Sequence, residues 1–167
     1  MSAKGNRRVR VAIFGNSGSG KTTRARELAR GGEIPVLDLD TIVWEPGRVA
    51  VRRSPEAVLA DLARFCSTHD DWIVEGCYGD PIREAFHWKP ELLFMNPGEE
   101  ACLRNCINRP WEPHKYASKA EQDEKLEHLR EWVSDYYRRD GDMSLSGHRA
   151  IFDAYDGPKR EDSSAGA

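Results

Sequence analysis

One short glycine-rich segment carries the clearest potential for chemistry in this sequence. Residues 15–22 read Gly-Asn-Ser-Gly-Ser-Gly-Lys-Thr and fit the pattern G-x-x-x-x-G-K-[ST] in full. The glycines let successive backbone N–H groups point inward around a phosphate, Lys21 supplies a mobile charge for the β and γ oxygens, and the Thr22 hydroxyl can ligate magnesium. The segment predicts a site for a nucleoside triphosphate with Mg²⁺. Its nucleotide-binding residues are Gly15, Asn16, Ser17, Gly18, Ser19, Gly20, Lys21, Thr22 and Thr23.

Three carboxylates at predicted strand ends form a second group with chemical potential. Asp38 and Asp40 close the apolar run 36–40, and Glu75 follows the run 72–74. Two residues apart on a strand, Asp38 and Asp40 should project from the same face and converge on one site. Because neighbouring carboxylates repel each other, a cation or a substrate hydroxyl is expected beside them. Phosphoryl transfer needs such acids for the metal and for the nucleophile, although Asp38 or Asp40 could instead cap a following turn.

The elements that must position these residues alternate between strands and helices. Short apolar runs, typical of strands buried on both faces, occur at 9–14, 36–40, 72–74 and 91–95. Helices are predicted at 21–30, from Ser54-Pro55-Glu56, at 99–108, and from the capping box Ser118-x-x-Glu121 to near Gly141. This alternation predicts an α/β fold of three layers with a parallel four- or five-stranded sheet between helices. The phosphate-binding segment between the first strand and the first helix makes this the P-loop NTPase fold. Such sheets bind ligands at the carboxyl ends of their strands.

The segment 151–155 leaves the number of strands open. It fits a fifth strand or a short helix capped by Ser146 and ended by Gly157, and periodicity does not decide over so few residues. Residues 1–162 are predicted to form a single domain, and the small residues of 163–167 are expected to be disordered.

Composition narrows the classes of partner. The 167 residues include 25 basic and 28 acidic side chains, and their net charge of −3 gives no broad positive field for nucleic acid. The longest apolar runs, such as 92–95, are far too short to cross a bilayer. Residues 1–10 lack the apolar stretch of a secretory signal, so a cytoplasmic location with reduced cysteines is expected. These features do not predict an oligomeric state.

The motifs together resemble the P-loop kinases of small molecules, the group of shikimate kinases and nucleoside monophosphate kinases. The resemblance covers roughly residues 8–109. The Asp38-x-Asp40 pair is similar to the shikimate kinase pattern, and the strand that ends at Glu75-Gly76 is similar to the third strand of adenylate kinases. Adenylate-kinase-like proteins called topology modulation proteins resemble the chain most closely, through the runs Leu39-Asp40, Trp44-x-Pro46-Gly47 and Gly76-x-Tyr78-Gly79.

The resemblance implies a role for each acid. Asp38 and Glu75 would lie near the magnesium ion together with Thr22, and Asp40 would orient or deprotonate the acceptor. Two departures accompany these roles. Glu75 stands where adenylate kinases have aspartate, and no Gly-Gly-Gly follows the third strand, which counts against shikimate as the substrate.

The resemblance also places acceptor binding at about 44–65 and a lid over the triphosphate at about 104–118. Phosphoryl transfer spreads negative charge that mobile cations neutralise, so Arg104 and Arg109 are expected to be catalytic together with Lys21. Asp40, which would act on the acceptor, is the fourth expected catalytic residue. A solvated helix face is the alternative for both arginines, and the segment lacks the arginine-rich spacing common in these families. Further arginines that could meet an anionic acceptor, or simply lie on the surface, are Arg48, Arg52, Arg53 and Arg83.

The sequence thus predicts an ATP-dependent kinase that transfers the γ-phosphoryl group to a hydroxyl or phosphate of a small-molecule acceptor, which it does not identify. The pattern N-K-x-D, by which many P-loop GTPases read guanine, does not occur, and this favours ATP. Two alternatives are an NTP-hydrolysing regulatory protein that acts with a protein partner, and a kinase of nucleic acid ends, which would need a basic groove.

Overall fold

Five parallel strands form the centre of the protein. The computed structural model describes residues 8–48, 50–113 and 115–164. In chain order the strands are β1 (Arg10–Gly15), β2 (Val36–Asp38), β3 (Trp72–Gly76), β4 (Glu91–Met95) and β5 (Lys159–Asp162). They are arranged in the order β2-β3-β1-β4-β5. Since β1 lies in the middle, the glycine-rich loop that follows it opens at the carboxyl edge, between the ends of β3 and β4.

Helices cover both faces of this sheet. The part of the chain that the structure describes contains α1 (Lys21–Leu28), α2 (Asp40–Val43), α3 (Pro55–Thr68), α4 (Gly79–Glu84), α5 (Glu99–Ile107), α6 (Lys119–Glu124), α7 (Leu126–Asp135) and α8 (Leu145–Ala154), with 3-10 turns at Arg30–Gly32 and Ala85–Trp88. Helices α3, α4 and α8 pack on one face and α1 packs on the other, while α5 and α7 pack against each other beside the glycine-rich loop.

The central strand contributes to two hydrophobic cores, one on each face. Ala12 and Phe14 pack among residues of α3, α4 and α8, whereas Val11 and Ile13 pack with Ala25 of α1. Successive side chains of a strand point to opposite faces, so an unbroken apolar run fills both cores. The fold is therefore the three-layer α/β arrangement of the P-loop NTPase type that the sequence predicted, and its sheet has five strands.

The fifth strand does not lie in the segment 151–155. That segment belongs mostly to α8, and the cap of this helix is Ser144 rather than Ser146, since Ser144 Oγ accepts a hydrogen bond from the Gly147 N–H at 3.0 Å. Strand β5 has the sequence Lys-Arg-Glu-Asp, which hydrophobic patterning does not recognise. It pairs with β4 from Leu92↔Lys159 to Met95↔Asp162 and forms one edge of the sheet, where most of its side chains are exposed.

The single long helix predicted from Ser118 to near Gly141 is two helices. Its start is confirmed, because Ser118 Oγ accepts the Glu121 N–H at 3.1 Å. The helix is interrupted at Lys125, and α7 ends at Asp135. Arg139 donates to the Trp132 carbonyl at 2.6 Å, which satisfies the open end of α7 well before Gly141. The other predicted boundaries differ from the observed ones by at most two residues.

Three expectations are not decided by the fold. Residues 165–167 of the expected disordered tail lie outside the described residues. The single domain over 1–162 and the cytoplasmic location stay predictions. No helix in the described part of the chain combines the length and hydropathy that crossing a bilayer requires.

Candidate active site

The glycine-rich loop connects β1 to α1, the position that the sequence predicted. Its glycines serve close approach as well as turning. A Cβ atom at Gly15 would lie 2.3 Å from the Met95 carbonyl oxygen, and one at Gly18, where φ is +75°, would lie 2.3 Å from the Cys102 carbonyl oxygen. The loop is thus pressed against the end of β4 and against α5, and only glycine fits at either position.

Two asparagines fix the loop to neighbouring helices. Asn16 is buried, and its Nδ2 donates to the Val133 carbonyl of α7 at 2.9 Å while its Oδ1 accepts the Ser17 N–H at 2.8 Å. Asn105 of α5 donates from Nδ2 to the Gly18 carbonyl at 2.8 Å. The side chain of Asn16 is therefore used to anchor the loop, and Asn105 is an anchor that the sequence did not predict.

The lysine and threonine at the start of α1 face the loop and strand β3. Lys21 Nζ donates to the Asn16 carbonyl across the loop at 2.7 Å. Thr22 Oγ1 donates to Glu75 Oε1 at 2.8 Å. The structure therefore brings together the predicted magnesium residues of the loop and of β3. Within the described residues the buried Ser19 hydroxyl finds no hydrogen-bond partner.

Asp38 and Glu75 lie side by side because β2 pairs with β3 in the register Asp38↔Glu75. Burial raises the pKa of the Asp38 carboxyl, and the neighbouring charge of Asp40 raises it further. Burial also raises the pKa of Glu75, with the Lys21 ammonium opposing the shift and Asp38 adding to it. Crowded carboxylates beside a threonine hydroxyl make this edge of the sheet rich in oxygen and attractive to a cation.

The donor set of Thr22, Asp38 and Glu75 suits a magnesium ion held partly by phosphates. In nucleotide sites Mg²⁺ is bound through one or two carboxylates, substrate phosphates and several waters rather than through a complete protein cage. In residues 8–48, 50–113 and 115–164, no group of three or more His, Cys, Asp or Glu side chains could hold a metal ion unaided. A role for these three residues at magnesium therefore stays a prediction, and the chemistry of the donors fits it.

Asp40 has a different local structure from the one predicted. Strand β2 ends at Asp38, and Leu39, with φ −61° and ψ −24°, turns the chain into α2, whose first residue is Asp40. The prediction that strand alternation aligns the two acids is wrong, because the chain leaves the sheet between them. The acids still meet, since Asp38 Oδ1 accepts the Asp40 N–H at 2.9 Å. Asp38 thus caps the turn as well as facing Glu75.

Both carboxylate oxygens of Asp40 are in contact with side chains. Tyr78 OH donates to Oδ1 at 2.5 Å, and the Lys115 ammonium lies 3.1 Å from Oδ2. Burial by itself raises the pKa of Asp40, but the Lys115 charge and the Tyr78 hydrogen bond bring it below its ordinary value. Asp40 is therefore ionised at neutral pH and can accept a hydrogen bond or a proton from a hydroxyl.

An aromatic pair from two segments lies beside Asp40. Trp44 Nε1 donates to Tyr78 OH at 3.0 Å, and the two rings meet edge to face with centroids 6.4 Å apart. The Arg52 guanidinium lies 5.8 Å from the Trp44 ring centroid and 5.4 Å from that of Tyr78. An antiparallel bridge between Trp44 and Arg52 brings the arginine there. Two residues of the predicted acceptor segment thus reach the surroundings of Asp40.

Within the described residues, the other candidate acceptor arginines form no side-chain hydrogen bond or ion pair with Asp40, Tyr78 or Trp44. Arg53 donates to an α2 carbonyl at 2.8 Å and to Asp61 Oδ2 at 2.7 Å, so it joins α2 to α3. Arg83 pairs with an aspartate on its own helix, and Arg48 is exposed. Of the four arginines, the structure brings Arg52 to the site and gives Arg53 a packing role.

The two predicted lid arginines differ in their surroundings. Arg109 Nη1 lies 3.3 Å from Glu112 Oε2, and Glu112 Oε1 lies 3.5 Å from Lys115 Nζ, which contacts Asp40. Arg104 is exposed on α5. It lies two residues from both Cys102 and Cys106, which contact Gly18, and two residues are about half a helical turn, so Arg104 faces away from the loop. Arg104 fits the alternative of a solvated helix face, whereas Arg109 is linked to the site through Glu112.

Three residues of the network received no role from the sequence. Tyr78 stands in the Gly76-x-Tyr78-Gly79 turn that contributes to the resemblance, and this turn was the available signal. Glu112 and Lys115 lie in the predicted lid, in which only arginines were expected to be catalytic. Their spacing of three residues was a weak sign of an ion pair.

Comparison with known proteins returns kinases among solved structures. No family model matches the chain, and no curated protein matches it. A shikimate kinase from Bacteroides thetaiotaomicron has a TM-score of 0.48 and 21% identity, covering 76% of this chain and 78% of its own. A sugar kinase from Janibacter sp. has a TM-score of 0.47 and 18% identity, covering 76% and 95%. Deoxyadenosine kinase from M. mycoides with bound dATP has a TM-score of 0.48 and 11% identity, covering 94% and 91%.

The three are named as kinases of shikimate, of a sugar and of deoxyadenosine, and all three TM-scores are below 0.5. The finer resemblance to topology modulation proteins stays a prediction. With identities of 11% to 21%, the activity and substrate of this chain rest on the chemistry of its own site.

Proposed function

We propose that the protein is an ATP-dependent kinase that transfers the γ-phosphoryl group to a hydroxyl or phosphate of a small-molecule acceptor. The observation that carries this proposal is the meeting of Asp38, Asp40 and Glu75 with Lys21 and Thr22 at one edge of the sheet. The charge of Lys21 acts on all three carboxyls. Two of the acids suffice for a metal, and the carboxylate of the third, Asp40, is engaged by Tyr78 and Lys115.

The loop and the start of α1 would bind the triphosphate. Inward backbone N–H groups and the positive end of α1 favour phosphate, and Lys21 would exchange the Asn16 carbonyl for the β and γ oxygens. Thr22, Asp38 and Glu75 would hold Mg²⁺, which when bound neutralises charge on the β and γ phosphates. The pKa values of Asp38 and Glu75 are raised, so a cation placed beside them would stabilise their ionised forms.

The acceptor would lie against Asp40, Tyr78 and Trp44. Ionised Asp40 would take the proton of an attacking hydroxyl. Where the acceptor group is a phosphate, Asp40 would orient the acceptor by accepting a hydrogen bond from another of its hydroxyl groups. The new bond forms between the acceptor oxygen and the γ phosphorus while the bond to the ADP oxygen breaks. In the described part of the chain Arg52 has no acidic partner, so its guanidinium is available for a negative group of the acceptor.

An ADP-release assay with a panel of small hydroxylated and phosphorylated metabolites tests the proposal. The variants are Lys21→Ala and Asp40→Asn, with Asp153→Asn as a control because Asp153 is exposed on α8. Lys21→Ala should lower turnover with the best acceptor by about a hundredfold or more. Asp40→Asn should lower acceptor-dependent turnover about a hundredfold while the dissociation constant of an ATP analogue changes by less than about twofold. Asp153→Asn should behave as the wild type.

The same assay separates the two alternatives. Short oligonucleotides with free 5′ hydroxyls and candidate protein partners are added in parallel with the metabolites. Stimulation by oligonucleotides alone would favour a kinase of nucleic acid ends, and stimulation by a protein without phosphorylation of any acceptor would favour a regulatory NTPase. Intact acceptor turnover in Asp40→Asn would contradict the acceptor role of Asp40.

A further inference from the structure

Asp40 is held by two side chains that come from other parts of the chain. Tyr78 follows β3, and Lys115 lies between α5 and α6; they contact different oxygens of the same carboxylate, at 2.5 and 3.1 Å. A carboxylate can accept about four hydrogen bonds, so these two contacts leave lone pairs for a further donor. An acceptor hydroxyl could bind Asp40 while both partners stay in place.

Lys115 ends a line of alternating charges that begins at Arg109, whose Nη2 lies 4.0 Å from the Cys106 sulfur that faces Gly18. Arg109 follows α5, its guanidinium contacts Glu112 at 3.3 Å, and Glu112 contacts the Lys115 ammonium at 3.5 Å. The side chains of Arg109, Glu112, Lys115 and Asp40 are 26%, 19%, 29% and 36% exposed. Partial burial weakens screening by water and salt, so charge on one member is felt by the next.

The surrounding backbone gives Glu112 a defined position. The Glu112 N–H donates to Gln122 Oε1 at 2.9 Å, and Gln122 Nε2 donates to the Pro110 carbonyl at 3.2 Å. Gln122 belongs to α6, so this helix supports the residue that holds Lys115. An exposed lysine with a local partner is different: Lys119 pairs with Asp123 one turn along α6, and both side chains are more than half exposed.

We propose that Lys115 is a positioning residue for the acceptor step, whose ammonium, held by Glu112, fixes the Asp40 carboxylate against Tyr78 with its free lone pairs toward the acceptor. The proposal rests on the proposed kinase function. It assigns Lys115 an effect on turnover through Asp40 rather than on the binding of ATP, because its contacts are with the acid and not with the loop. A small displacement of an oriented group can cost about a hundredfold in rate.

Three variants test this role in the ADP-release assay, with the acceptor that gives the highest wild-type rate. Lys115→Met removes the charge and keeps the aliphatic chain, Lys115→Arg restores a charge, and Lys119→Met is the matched control. Lys115→Met should lower kcat about tenfold or more and leave the KM for ATP within about twofold. Lys115→Arg should recover most of kcat, and Lys119→Met should match the wild type. An unchanged kcat in Lys115→Met, or a loss in Lys115→Arg as large as in Lys115→Met, would overturn the proposal.

A second measurement does not depend on catalysis. Brief acetylation with acetic anhydride, followed by peptide mass spectrometry, gives the reactivity of each lysine. In the wild type Lys115 should be acetylated several-fold more slowly than Lys119. Asp40→Asn should raise the acetylation rate of Lys115 and leave that of Lys119 unchanged. Equal reactivity of Lys115 in the wild type and Asp40→Asn would overturn the proposed contact. If no acceptor is phosphorylated by the wild type, the proposed function fails, and acetylation still decides whether Lys115 holds Asp40.

Discussion

Acid should destabilise the protein through one buried histidine. His148 of α8 has no exposed surface, and its Nε2 lies 2.9 Å from the Cys77 carbonyl while its Nδ1 lies 2.8 Å from Tyr136 OH. Because a carbonyl only accepts, Nε2 carries the proton and Nδ1 accepts the tyrosine hydrogen. The neutral ring satisfies both neighbours, and burial lowers its pKa from 6.5 to about 4.

The sign and size of the effect follow from linkage. Below pH 6.5 the unfolded chain takes up a proton at His148, and the folded protein does not do so until about pH 4. The stability that the neutral ring contributes is complete above pH 6.5 and is lost as the pH falls through this window. The full loss corresponds to about 3.4 kcal/mol of unfolding free energy, and about 2 kcal/mol of it is lost by pH 5.

Urea unfolding of the wild type and His148→Gln at neutral pH and at pH 5 measures this loss. Glutamine can donate to the Cys77 carbonyl and accept from Tyr136, but it does not titrate. The variant should be less stable than the wild type at neutral pH, and the gap should shrink by about 2 kcal/mol at pH 5. Other titrating groups, such as Asp38 and Glu75, cancel in this difference. A gap of the same size at both pH values would refute the reasoning.

Three further changes test the site and its support. Gly18→Ala should lower the unfolding free energy by about 2 kcal/mol or more and weaken ATP binding, because the added methyl group collides with α5. The control Gly47→Ala, also at positive φ but in open space, should lower it by about 1 kcal/mol. Equal losses of the two variants in urea unfolding would contradict this. Asn105→Ala should weaken binding of an ATP analogue about fivefold in calorimetric titration, since the loop loses one anchor; an unchanged affinity would remove that role. Arg53→Met should lower the unfolding free energy by about 1 kcal/mol, because the ion pair with Asp61 is lost, and it should leave the KM for the acceptor unchanged. A raised KM would show that Arg53 contacts the acceptor.

The centre of the fold could be predicted from the sequence because its signals are local. The strands β1, β3 and β4 are continuous apolar runs, and the glycine-rich loop fixes the junction of β1 with α1. Strand β5 could not be recognised in this way. Its Lys-Arg-Glu-Asp sequence forms a strand because the backbone of β4 provides hydrogen-bond partners, and these are in place only in the folded protein.

The site divides along the same line. Thr22, Asp38 and Glu75 were predictable because strand ends and a helix start fix their positions, and parallel pairing then brings them together. The partners of Asp40 were not, since Tyr78 and Lys115 reach it from connecting segments whose course has no periodic signal. Arg104 and Arg109 show the limit of choosing by residue type alone, because helix phase turns one of them away from the loop.

The charged edge strand also bears on association between molecules. Without β5, the backbone of the apolar strand β4 would be open to pairing with any other extended chain. Lysine, arginine, glutamate and aspartate on β5 discourage such addition, and at the far edge β2 offers only three residues. Loss of β5 would leave the candidate site residues at the ends of β2 and β3 in their sheet positions and would expose an aggregation-prone edge. Protection from aggregation and the proposed chemistry therefore depend on opposite sides of β4.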